Sequence, residues 1–394
     1  MIFAQSVITH TLACAYTGVM RPFSKTRAGV LFSVPMLILS LSLPNQAIAE
    51  DQRQGQGQGQ DQNDGRSDSQ QNNSFKNEQP NFSNNRELTL ESGMEPVIIQ
   101  PSRQDGGALV KPGSAALYTG TADTSSIVYR LGAPVMTGVQ NIYEVWYGSW
   151  SSTSAAKPTA KAYQTFTNNF LSTMASPGSY WGINHAYYQA TKAGVNSGFV
   201  GNPTLNPANQ KVVAANTSKY GTTLSQSSIY KIVKDAFFPT TTLADANAIY
   251  LVLTSSEIKV SGFGTQFCGW HSYNSTSNAK YSFVGDPANT SGCLAQSVGP
   301  NLAGADSMLS VIAHELEETV TDPQLNAWYS ANGNENGDKC AWTWGATTPQ
   351  TNGAYSNMTI NGTNYLIQQN FKLASAPTST TSAQQTWSGT CAKS

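Results

Sequence analysis

The sequence predicts an exported α/β protein: one mixed-sheet domain with flanking helices, set behind a disordered leader and a removable signal. Three observations lead there. Residues 1–49 combine basic residues, an apolar run and a small-residue cleavage pattern. The stretch that follows is dominated by Gln, Asn, Gly, Asp and Ser. Beyond residue 108, strand-like and helix-like periodicities alternate and then give way to a strand-rich region.

The signal comes first. Arg21, Lys25 and Arg27, with no acidic residue among residues 1–49, precede an apolar run over 28–41. Ala47-Ile48-Ala49 supplies small residues where a signal peptidase needs them, which puts cleavage before Glu50. A membrane span would need about 20 consecutive apolar residues. This run is shorter and is interrupted by Pro35, so no membrane segment is expected after cleavage. Either Met1 or Met20 can open the signal, Met20 giving the more usual length.

Residues 50–107 form the leader. From Asp51 to about Asn85 almost nothing could be buried to offset the entropy of ordering, as in Gly55-Gln56-Gly57-Gln58-Gly59. Residues 86–107 are a transition, and the domain occupies 108–394, its fold beginning between Leu109 and Ser126. Loss of the three positive charges in the signal moves the formal net charge from −1 to −4. That modest acidity carries no electrostatic footprint for nucleic acid.

The mature chain keeps Cys268, Cys293, Cys340 and Cys391, an even number that suggests two bridges in an oxidising compartment. The sequence-local pairs Cys268–Cys293 and Cys340–Cys391 are favoured among the three pairings. No Cys-x-x-Cys spacing supports a zinc–thiolate site.

Within the domain, residues 127–131 and 141–147 are rich in β-branched and aromatic side chains and read as strands. Residues 161–174 and 225–237 carry apolar side chains at helical spacing. The unbroken apolar run 250–254 reads as a central strand, with further strands over 268–273, 280–284 and 365–371.

The chemistry concentrates in residues 305–323. Asp306 or Ser307 can cap a helix there, and Pro323 disfavours helical geometry at Asp322. Met308, Ile312, Leu316 and Thr319 share a core-facing stripe, Val311, His314, Glu318 and Asp322 a neighbouring one, and Glu315 their border. Glu317 is expected to face water. His314 and Glu318 stand one turn apart, the geometry by which a His-Glu-x-x-His helix presents two ligands to zinc while the intervening glutamate polarises a water. Here a glutamate replaces the second histidine, and carboxylate oxygen is an acceptable zinc ligand. The expectation is therefore a zincin-like site with His314 and Glu318 as ligands, Glu315 as general base, and a third ligand from His271 or, alternatively, Asp322. His185 reads as part of a packed helix face.

Other constellations are thin. There is no Gly-x-Ser-x-Gly elbow and no phosphate-cradling Gly-x-x-x-x-Gly-Lys. The aromatic clusters at 146–150, 328–329 and 342–344 read as core and rim residues before they read as a carbohydrate groove.

Several motifs in order resemble the exordium / phosphate-induced protein 1 family. They are Ala133-Pro134-Val135-Met136-Thr137-Gly138, Asn141-Ile142-Tyr143, Trp146-Tyr147-Gly148-Ser149-Trp150, Tyr250-Leu251-Val252-Leu253-Thr254-Ser255, Cys268-Gly269-Trp270-His271, Tyr281-Ser282-Phe283-Val284-Gly285, Thr321-Asp322-Pro323 and the final Cys391. The similarity runs over residues 128–391. It implies a secreted, cell-wall or apoplast-associated protein, linked in plants to growth, with no established reaction. Plant members often carry an apolar helix where this chain has His314 and Glu315. Two classes of function follow: a secreted zinc-dependent hydrolase or peptidase, and a non-catalytic extracellular protein that signals or binds a matrix or cell-wall component.

Overall fold

The run Ala248–Thr254 is apolar until its last residue, and a strand apolar on both faces belongs inside a sheet that is covered twice. The structure, a computed structural model describing residues 97–101, 117–150, 160–176 and 179–394, places it so. The chain divides into units 1–74 and 75–394, and every described residue lies in the second. The expected signal over 1–49, its cleavage site and the leader over 50–107, apart from residues 97–101, lie outside the described residues.

The six-stranded sheet runs in the order Val97–Pro101, Phe267–Asn274, Ala279–Gly285, Ala248–Thr254, Gln140–Tyr147, Pro203–Val213. The last four are parallel to one another. Phe267–Asn274 runs antiparallel to both of its neighbours.

Strand alternation splits the core in two. Ile249, Leu251 and Leu253 face the same apolar cluster as Phe170 of helix α1 (Ala160–Leu171) and Ile312 and Leu316 of helix α3 (Ala303–Thr321). Helix α2 (Gln226–Phe237) covers the opposite face, its Ile229, Ile232 and Val233 packing with Tyr250 and Val252. The result is a three-layer α/β arrangement, as the alternation of elements implies. Ser225 caps α2 through a reciprocal box with Ser228. A smaller antiparallel sheet, Trp328–Ser330, Ile127–Arg130, Gln384–Trp387, Ser379–Thr380, adjoins the α3 side, with Trp328 stacked 4.9 Å from Tyr129.

Both favoured disulfides form, Cys268–Cys293 and Cys340–Cys391, with Cα atoms 5.4 and 5.6 Å apart. Trp146, Trp150, Trp328, Trp342 and Trp344 are core residues. Four expectations need correction. Val97–Pro101 pairs with Phe267–Asn274 inside the stretch expected to be disordered leader, because Val97-Ile98-Ile99 is itself a β-forming run. Residues 365–371 are not one strand: Thr363–Tyr365 and Asn370–Leu373 are separate. Between them the backbone N–H groups of Ile367 and Gln368 donate to the side chains of Asn357 and Ser310. Helix α3 (Ala303–Thr321) starts a turn earlier than Asp306, which serves the start from inside by accepting the N–H groups of Asn301 and Leu302. His185 is exposed on a 3-10 turn, its Nε2 2.7 Å from Asn202 Oδ1.

Candidate metal centre

A surface helix carries its charges on one side, but α3 is buried all the way round from Ala305 to Asp322. Its sheet-facing side meets Phe267–Asn274 so closely that a Cβ on Gly269 would lie 2.8 Å from Glu315 Oε1. On the other side lie the 3-10 turn Tyr180–Ala186, the loop around Glu335 to Asp338, and residues 366–370. Glu317, expected in water, is therefore fully buried. Burial first, with Glu318 adding repulsion, holds its carboxyl well above the usual carboxylate range, eased by Tyr180, His314 and Asn370.

The structure brings His314, Glu315, Glu318 and His271 together. Ligand atoms of His271, Glu315 and Glu318 lie within 4.8 Å of one another, as do those of His314, Glu318 and Asp338. Glu318 belongs to both groups. Its Oε1 stands 3.0 Å from His314 Nε2 and accepts the N–H of Asp338 at 2.9 Å. Its Oε2 accepts no hydrogen bond and stands 3.6 Å from His271 Nε2. His271 reaches the site because Phe267–Asn274 alternates: Trp270 packs toward α2, so Gly269 and His271 turn toward α3.

Asp322, the alternative ligand, stays outside both groups. Its Oδ1 accepts the N–H of Ala327 at 2.6 Å and so closes the turn after Pro323. Three residues absent from the sequence-based set belong to the cluster. Glu335 Oε2 lies 2.7 Å from His271 Nε2. Asp338 Oδ1 lies 3.6 Å from His314 Nε2, and Gln368 Nε2 2.8 Å from His314 Nδ1. The only hint in the sequence is the acidic loop Asn334-Glu335-Asn336-Gly337-Asp338 just before Cys340.

The electrostatics follow from burial. Desolvation, with the nearby Asp338 carboxylate, raises the Glu318 pKa to about 7, against the pull of His314. For His314 desolvation opposes the charge, but Glu318, Asp338 and Glu315 outweigh it and hold the ring well above the usual imidazole range. Packed acids and imidazoles of this kind suit a divalent cation, which replaces shared protons as the compensating charge. The cluster is also closed. His271 is 1% exposed and His314, Glu315, Glu318 and Glu335 are 0% exposed, while the Asp338 side chain is 12% exposed. An open groove near α1, lined by Lys161, Phe166, Asn169 and Thr363, includes none of them.

The comparisons agree with the motifs. Residues 128–380 match the family model described as the phosphate-induced protein 1 conserved region. Protein EXORDIUM-like 5 of Arabidopsis thaliana is 26% identical over 270 residues, covering 59% of this chain and 69% of that protein. Protein EXORDIUM-like 3 of the same plant is 24% identical over 242 residues, covering 54% and 66%. Protein EXORDIUM-like 1 is 25% identical over 291 residues, covering 63% and 87%. No solved structure matches. The family model spans well over half of the chain, and the chain belongs to the phosphate-induced protein 1 family.

Proposed function

We propose that the chain is a secreted, extracellular or cell-wall member of this family that works by binding a matrix or wall component, and that its His/carboxylate cluster is a closed zinc centre with a structural role. The observation that carries the reading is the burial of His271, Glu315 and Glu318 in one group and of His314 in an adjoining group that shares Glu318. A structural zinc site is closed by protein ligands, whereas a catalytic one keeps a position open for water and substrate. The two disulfides support an extracellular setting. Zinc would tie α3 to Phe267–Asn274 and to the loop around Glu335, three parts of the chain otherwise joined there by shared protons.

One observation favours the hydrolase as a second reading: Glu315 stands in the same group as His271 and Glu318, where a general base would stand. That chemistry needs the site to open to substrate. The two readings part in one experiment on purified mature protein. Zinc content, thermal unfolding with and without chelator, and hydrolysis of peptide and glycan substrates are measured together. The structural reading expects stoichiometric zinc, a lower Tm after chelation and no hydrolysis. Hydrolysis abolished by Glu315→Gln would establish the enzyme instead, and a Tm indifferent to both zinc and chelator would remove the metal.

A further inference from the structure

Resting on the metal reading above, we infer that zinc is ligated on the His271 side of the cluster, by His271, Glu315 and Glu318 with Glu335 as the fourth donor, and that His314 is a positioning residue locked by Gln368. Glu318 is common to both groups, so the choice falls between two imidazoles, and a ring nitrogen that carries a proton cannot bind a metal.

Gln368 decides the tautomer of His314. Its Oε1 accepts the N–H of Trp342 at 2.8 Å, and its Nε2 donates to the Gly337 carbonyl at 2.9 Å. The second Nε2 proton points to His314 Nδ1 at 2.8 Å. Reversing the amide would set its NH2 against the Trp342 N–H and its oxygen against the Gly337 carbonyl, two repulsions for one gain. Once a metal has replaced the proton that keeps the metal-free ring charged, Nδ1 is therefore an acceptor and the remaining ring proton sits on Nε2, which lies 3.0 Å from Glu318 Oε1 and 3.6 Å from Asp338 Oδ1 without an aligned hydrogen bond to either. Ligation through Nε2 would require a proton on Nδ1, facing the Gln368 NH2. The ring has no room to retreat, because a Cβ on Gly337 would come within 2.7 Å of Nδ1.

His271 is placed differently. The partner of its Nε2 is Glu335 Oε2 at 2.7 Å, a carboxylate. Removal of the proton between them leaves a nitrogen and an oxygen lone pair that can both face a cation. Glu318 Oε2, fully buried and without a hydrogen bond, stands on this side, 3.6 Å from His271 Nε2. One imidazole with carboxylates is a donor set for zinc, whereas calcium takes oxygen alone. His314 then turns its N–H toward Glu318 Oε1 and leaves Oε2 for the metal, the outer-shell role that fixes a ligating carboxylate.

The test replaces zinc by an NMR-active cadmium isotope in the full mature chain with nitrogen-labelled histidine. Metal coupling is expected at a ring nitrogen of His271 and absent from both nitrogens of His314, whose Nδ1 shows the shift of an unprotonated nitrogen. Coupling to His314 overturns the inference while leaving the metal reading intact, and a chain that takes up neither zinc nor cadmium ends both. In parallel, His314→Gln should keep zinc at full stoichiometry with affinity lower by about 10–100-fold. His271→Gln should lose it. If either variant fails to fold, the cadmium spectrum of the unmodified chain still decides.

Discussion

At the scale of single residues the cluster is tight enough to be tested by one methyl group. Gly337 has φ −70° and ψ −47°, so alanine meets no backbone strain there. Its Cβ would lie 2.7 Å from His314 Nδ1 and 2.9 Å from Glu318 Oε1. Gly337→Ala should therefore cost about 1–3 kcal/mol in urea unfolding, and should weaken zinc binding in a competition titration. Wild-type stability and affinity in this variant would mean that the two side chains are not held as described. Helical spacing singled out His314 and Glu318 as ligand candidates and Glu315 as a general base, and residue type on a strand singled out His271. Glu335, Asp338 and Gln368 were not, since they reach the cluster through tertiary contacts that no local periodicity encodes. Glu317 was misplaced for a related reason. Helical phase says which way a side chain points, and it is silent on what covers that side.

At the scale of elements, α3, α2 and the four central strands of the large sheet follow their sequence patterns within a few residues, whereas its edge strands Val97–Pro101 and Pro203–Val213 were not read from the sequence. The stretch 365–371 broke the pattern: it reads as a strand, yet the N–H groups of Ile367, Gln368 and Gln369 are taken by Asn357, Ser310 and Thr343. The strand Gln140–Tyr147 carries a separate test. Glu144 is fully buried within it, and burial raises its pKa to about 7, against the help of Trp146 and Gln210. An acid whose folded pKa lies above its unfolded one stabilises the protein fully below the unfolded value, and that contribution is lost as pH rises through the folded one. Stability should thus fall between about pH 4.5 and 7 by about 3 kcal/mol from this group, at 1.36 kcal/mol per pKa unit. Glu144→Gln should flatten that part of the profile in urea titrations at pH 5 and pH 8. An unchanged slope would show that Glu144 is not protonated in the fold.

At the scale of the whole molecule, the two disulfides close loops of 25 and 51 residues. In the chain-entropy model the longer one stabilises by about 4 kcal/mol, and it ties the C-terminal strand Gly389–Ala392 to the cluster loop through Cys340. Cys391→Ser should lower stability by that order in urea unfolding. It should also loosen zinc more than removal of the Cys268–Cys293 bridge by Cys293→Ser, since Cys340 adjoins the loop that carries Glu335 and Asp338. Equal effects on zinc would argue against a cluster braced from that side. Family and fold class were readable in the sequence because motifs and strand order run together along the domain.

The measurement closest to the central claim is an anomalous difference map, collected at the zinc edge, from crystals of the mature protein grown with zinc. The account expects one strong peak buried between His271, Glu315 and Glu318, with ligand atoms about 2.0–2.2 Å from the ion. A map with no peak there, or with zinc bound only at surface residues, would contradict it.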